Sequence, residues 1–200
     1  MMGDTEMQIK QWDLQAEDKI PIDYFVTKQK KNKQGSVKFS KRKLRLVDAS
    51  GTLVFTTSSG PVKSTRLLLD ASGTLLFSLH RINSGSWQGF MRDANGVEEL
   101  IFRSERIQDA FNRTELDVFL VCDNCEQSSP ELKIKGSPFN RACTIYKGNS
   151  IVAQTSLMHK LWEAYVPRNK FRLTIFPGLV NRALVVALIV IYFDGRKIWL

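Results

Sequence analysis

The sequence predicts an antiparallel β fold, and three observations carry that prediction: a repeated turn motif, β-forming flanks around each copy, and an interval too short for a crossover helix. Asp48–Leu53 reads DASGTL, Asp70–Leu75 repeats it letter for letter, and Asp93–Val97 reads DANGV, so the copies start 22 and then 23 residues apart. Each copy sets Gly behind a small polar residue and an Asp at its head, the chemistry of a tight turn. An interval of this length holds two strands and two turns, whereas parallel strands need a crossover with its own helix.

The elements follow in order. Lys43–Val47 and Leu53–Thr57 flank the first tip, Arg66–Leu69 and Leu75–His80 the second, and Trp87–Arg92 and Glu99–Arg103 the third, all rich in β-branched, aromatic or leucine residues. Glu115–Cys122, Leu132–Lys135, Cys143–Tyr146, Ile151–Ser156 and Phe171–Phe176 continue the pattern, with a short helix expected between Ser156 and Ala164. So many short strands predict a barrel or a sandwich, and closure removes the exposed edges.

A chain of 200 residues with 43% hydrophobic content can bury one substantial core. Charged residues at 24% and only 12 glycines exclude a collagen-like chain and argue against disorder. We expect a flexible segment at 1–20 and a single domain over 21–200. The stretch Met1–Lys19 carries Asp4, Glu6, Asp13, Glu17 and Asp18 without an apolar run, so no secretory signal is expected. Cys122, Cys125 and Cys143 are odd in number and unevenly spaced, which fits a reducing, intracellular compartment.

Ala183–Phe193 is apolar over eleven residues. As a helix it would span about 17 Å, against a bilayer core of about 30 Å. Asn181 and Arg182 fence one end and Asp194, Arg196 and Lys197 the other. The segment is therefore expected to be core and not a membrane anchor. Its β-branched content and the Asp194-Gly195 turn favour a last strand paired with Lys197–Leu200, although periodicity alone does not separate strand from helix.

Glu115–Leu120 (ELDVFL), Arg141–Tyr146 (RACTIY) with Ile151–Gln154 (IVAQ), and Val185–Ile191 stand in an order that resembles the LURP-one-related proteins of plants. Trp87-Gln88 and the Asp-Ala-Ser-Gly turns fit as well, so the resemblance runs from Pro21 to Phe193. It implies a fold of the tubby-like and phospholipid scramblase-like superfamily: a mainly β, closed antiparallel barrel of about twelve strands enclosing a hydrophobic C-terminal helix. Leu184, Val185, Val186, Ala187, Leu188, Ile189, Val190 and Ile191 would form that central helix, and a helix walled in on every side needs no polar stripe. The resemblance thus reverses the strand reading of this segment. The lysine-rich stretch Lys28–Lys33 and the ending Ile198-Trp-Leu200 depart from the family pattern.

Net charge is +9, and nine cations stand between Lys28 and Arg45 with no acid among them. Without them 20 cations balance 20 acids, so the excess belongs to one segment. Tubby proteins bind phosphoinositide head groups through Lys and Arg on the barrel surface. By resemblance, Lys41, Arg42, Lys43 and Arg45 would hold anionic lipid. The bland alternative is a solvated, solubilising face. Nucleic acid is the rival anion, and the run also fits a nuclear import signal. Phe39 is the only aromatic within it, fewer than a stacking platform for single strands needs, and helix-turn-helix or zinc-finger spacing is lacking.

Cys122-Asp-Asn-Cys125 is a C-x-x-C without a second ligand pair, since Cys143, His80 and His159 are scattered. It reads as a turn with two thiols, and no metal or cofactor is expected. Neither histidine sits in a nucleophile or metalloprotease motif, and no EF-hand loop supports a calcium-dependent scramblase role. The sequence therefore predicts no enzyme. It predicts a non-enzymatic regulatory binding protein, linked by resemblance to plant defence and docking peripherally on phosphoinositide membranes, in the cytoplasm or at the plasma membrane. The alternative is a nucleic-acid-associated or transcription-linked protein with tubby-like membrane-to-nucleus behaviour.

Overall fold

Alternation of buried and more exposed side chains marks many strands of the barrel. The computed structural model describes residues 20–29, 43–62, 64–93, 95–109, 113–121, 129–158, 169–178 and 180–194. The first strand, β1 (Ile22–Gln29), was not among the expected elements, yet Tyr24 and Val26 are buried at period two within it. There follow β2 (Lys43–Val47), β3 (Leu53–Ser59), β4 (Thr65–Asp70), β5 (Leu75–Arg81), β6 (Trp87–Arg92) and β7 (Glu98–Asp109). The second half comprises β8 (Thr114–Leu120), β9 (Leu132–Ser137), β10 (Ala142–Lys147), β11 (Ser150–Leu157), β12 (Lys170–Ile175) and one helix, α1 (Arg182–Asp194).

Each strand pairs antiparallel with its neighbours in sequence, and β1 closes the circle on β12 through pairs such as Tyr24 with Leu173. The result is the closed, mainly β, twelve-stranded barrel that the resemblance implied. Ser156 and Leu157 finish β11 as strand, against the expected short helix, whose remainder from 159 onward lies outside the described residues.

The three Asp-headed repeats are hairpin tips, joining β2 to β3, β4 to β5 and β6 to β7. Asp48 Oδ1 accepts from the Ser50 and Thr52 amides at 2.9 Å, and Asp93 Oδ1 repeats the pattern with Asn95 and Val97. Gly51, Gly73 and Gly96 take φ of 86°, 91° and 81°, a left-handed backbone that only glycine adopts without penalty. The Ser50 hydroxyl, then the local amides, hold the Asp48 carboxyl below its ordinary pKa, and Ser72 does the same for Asp70.

Ala183–Phe193 is helix and not the last strand that its β-branched content favoured. Leu184 to Phe193 are all buried, because the barrel wall surrounds α1 on every face. A barrel interior already supplies a complete ring of strands, so another strand would leave its backbone groups without partners, whereas a helix satisfies its own. Asn181 caps the start, its Oδ1 accepting from the Ala183 amide at 2.8 Å. The Tyr192 hydroxyl donates to the Thr114 carbonyl at 3.2 Å, and the Phe193 ring meets Phe171 with centroids 5.0 Å apart. Among the described residues, no helix is long and apolar enough to cross a membrane.

Candidate anion-binding site at one barrel end

Inward positions on a strand recur every second residue, and at one mouth of the barrel several inward files end in a cation. On β5 the buried file Phe77 and Leu79 runs out to Arg81, and on β7 Phe102 and Ser104 run out to Arg106. On β1 Tyr24 and Val26 lead to Lys28, while on β4 Arg66 stands two residues before the buried Leu68. Antiparallel order brings these ends together, since the mouth collects the C-terminal ends of odd strands and the N-terminal ends of even ones.

The C-terminus of α1 arrives at the same mouth. Arg66 Nη2 lies 3.1 Å from Asp194 Oδ2, and Arg81 Nη2 donates to the Asp194 carbonyl at 3.2 Å. A helix C-terminus carries partial negative charge and open carbonyls, and because the last turn has no basic residue, the wall provides the cations. Burial lowers the Arg81 pKa from its ordinary value, opposed by the Asp194 carboxylate and reinforced by the like charges of Arg66 and Arg106.

Two of the guanidiniums also lie on aromatic faces. Arg81 stands 4.8 Å from the centre of the Trp87 ring, and Arg141 stands 5.2 Å from that of Phe193. Arg141 precedes β10 with φ of 54°, a left-handed backbone uncommon for a residue with a side chain, and is only 6% exposed. Lys28, Arg66, Arg141 and Asp194 line a recess floored by Val190 and Phe193, with about 20 Å³ of free volume. A water needs roughly 10–15 Å³ on this measure. The recess is too small for a metabolite.

Of the expected site residues, Lys43 and Arg45 are exposed on β2, where the alternating Leu44 and Leu46 turn inward. They decorate the outer wall beside the mouth. Lys41 and Arg42 lie outside the described residues, but β1 finishes at Gln29 and β2 opens at Lys43, so the basic connection leaves and rejoins the barrel at the cationic end. Sequence reasoning missed Arg66, Arg81, Arg106 and Arg141. Each is one cation at an inward position near a strand end, a signal that becomes visible only once register is known.

The remaining candidates separate. Cys122, Cys125 and His159 lie outside the described residues, and His80 packs edge-on to Phe90 with centroids 5.2 Å apart. Cys143 is buried, its thiol pushed up to about 12 by burial against a weaker lowering from the Thr155 hydroxyl. Among the described residues, no group of three or more His, Cys, Asp or Glu side chains comes close enough to hold a metal ion. The mouth is rich in donors, since Lys28, Arg66, Arg81, Arg106 and Arg141 meet there and arginine and lysine can only donate. The opposite end carries the carboxylates of Asp48, Asp70 and Asp93 on its hairpin tips.

The comparisons with known proteins agree with this architecture. Residues 25–194 match the LURP-one-related family. Protein LURP-one-related 7 of Arabidopsis thaliana is 42% identical over 179 residues, covering 88% of this chain and 91% of that protein. Protein LURP-one-related 10 of the same plant is 31% identical over 163 residues, 76% of this chain and 81% of its own length. With a family match from β1 through the helix that fills the barrel, the chain belongs to the LURP-one-related family.

Proposed function

We propose that this chain is a non-enzymatic regulatory module that docks peripherally, by the cationic end of its barrel, on phosphoinositide-bearing membrane surfaces. The observation that carries the reading is the convergence of Lys28, Arg66, Arg81, Arg106 and Arg141 at one mouth, beside the ends of the basic connection. Near an anionic leaflet each such cation contributes about 1 kcal/mol, and guanidiniums match the planar geometry of phosphate oxygens. Reversible recruitment of this kind suits a regulatory role, including one in plant defence, at the cytoplasmic face of a membrane.

Vesicle sedimentation tests it. The protein should pellet at low salt with phosphoinositide vesicles and remain in the supernatant with neutral ones. Changing Lys41, Arg42, Lys43 and Arg45 to Gln, or Lys28 and Arg106 to Gln, should each weaken pelleting. Wild-type protein that stays in the supernatant, or binds duplex DNA equally well, would count against the proposal.

A further inference from the structure

Beyond its cations, the same mouth bears exposed aliphatic side chains on two successive loops and the strand end that follows them. Val62 lies between β3 and β4, Ile82 directly follows Arg81 after β5, and Ile107 directly follows Arg106 near the end of β7. They are 59%, 58% and 60% exposed. Side chains alternate along a strand, so a residue next to an inward cation is turned outward. Ile107 is also the extra residue of a β-bulge, between Arg106 paired with Leu116 and Gln108 paired with Glu115.

These loops are tied to one another. The Arg81 amide donates to the Ser64 carbonyl and the Arg106 amide to the Gly85 carbonyl, both at 3.0 Å, and Asn83 Oδ1 accepts from the Gly85 and Ser86 amides at 2.8 Å. The rim is thus laterally braced, with loops two strands, about 10 Å, apart.

Single exposed aliphatics are ordinary on a protein surface, and the opposite end also exposes Ile20, Val97, Val121 and Ile151. Charge distinguishes the two ends. There the tips present Asp48, Asp70 and Asp93 together with Arg92 and Lys147, an end of mixed charge, whereas here Ile82 and Ile107 each directly follow an inward arginine and Val62 precedes the strand of Arg66.

We propose that Val62, Ile82 and Ile107 form a hydrophobic rim that enters the headgroup and acyl boundary of an anionic bilayer, so that the barrel docks end-on. The inference rests on the lipid reading above and adds to it an orientation and a component of binding that salt does not screen. Cations bring the mouth to the surface, and aliphatic burial then holds it there.

The experiment compares wild type with V62S/I82S/I107S on phosphoinositide vesicles in low salt and at about 1 M salt, where charges are screened within roughly 3 Å. Wild type should keep a salt-resistant bound fraction. The triple variant should lose it, with affinity at high salt down roughly tenfold, while its binding of soluble inositol trisphosphate is unchanged. Ile82→Ser alone serves if the triple variant melts early, and V97S/I151S at the far end should behave as wild type. Equal salt-resistant pelleting of wild type and the rim variants overturns the rim but leaves the lipid reading standing, as does loss in the far-end variant. Failure of wild type to pellet at low salt removes both.

Discussion

Arg66 and Asp194 lie 128 positions apart in sequence, yet the guanidinium holds the carboxylate at 3.1 Å and ties the barrel wall to the end of its central helix. On the docking reading, that carboxylate is a like charge beside phosphate groups at the mouth. Asp194→Asn should therefore strengthen vesicle binding about fivefold, the effect of removing one like charge from the docking face. Its stability cost should be about 1–3 kcal/mol, because the two side chains are only 20% and 13% exposed and the guanidinium loses a charged partner. Vesicle titration and thermal melting read the two effects separately.

Ile189 is 1% exposed in the middle of α1. Ile189→Asp would set a carboxylate in the buried interior of the barrel, at a cost of more than about 4 kcal/mol. The variant should be insoluble or lose its cooperative melt, and charging Ala187 should act alike. A soluble variant with a wild-type circular dichroism spectrum would contradict the central position of the helix.

Gly89 is paired with Phe102 on the inner wall, and a Cβ at position 89 would overlap the Phe102 ring. Gly89→Ala should destabilise by about 1–3 kcal/mol through overpacking. Phe102→Leu in the same chain should restore part of that loss, measured by denaturant titration.

Burial raises the Cys143 thiol pKa from 9.0 to about 12, so between these values the folded state keeps a proton that the unfolded state has released. Stability tied to this group is complete below pH 9 and falls as pH rises toward 12. Cys143→Ala should flatten the decline of stability over that window. In the native protein Cys143 should resist alkylation at neutral pH, as peptide mass spectrometry would show.

Arg141 combines a left-handed φ of 54° with a guanidinium over Phe193. Arg141→Gly relieves the backbone but removes a side chain that is only 6% exposed together with its ring contact, so stability should fall by about 1–3 kcal/mol. Vesicle affinity should also fall about fivefold.

The hairpins were legible because their signals are local. Asp48, Asp70 and Asp93 each fix a turn from their own carboxylate, and the strands around them are rich in leucine, aromatic and β-branched residues. Strand β1 carries the period-two signal in Ile22, Tyr24 and Val26, but it runs directly into the lysine-rich stretch beginning at Lys28, whose composition is that of a solvated loop. The state of Ala183–Phe193 was not legible from its residues, because β-branched chemistry favours a strand and only the closed wall around it demands a helix. Family resemblance provided that context. The cationic mouth was hidden for a related reason: Arg66, Arg81, Arg106 and Arg141 are scattered in sequence and meet only through register. The basic run was conspicuous, and of its described members Lys28 lines the mouth while Lys43 and Arg45 lie on the outer wall.

Hydrogen exchange on phosphoinositide vesicles tests end-on docking most directly. The account predicts slower amide exchange on binding at 60–62 and 82–86, beside the cationic mouth, and no change at the tips 48–52, 70–74 and 93–97. Protection at those acidic tips, or along one side of the barrel instead of one end, would contradict it.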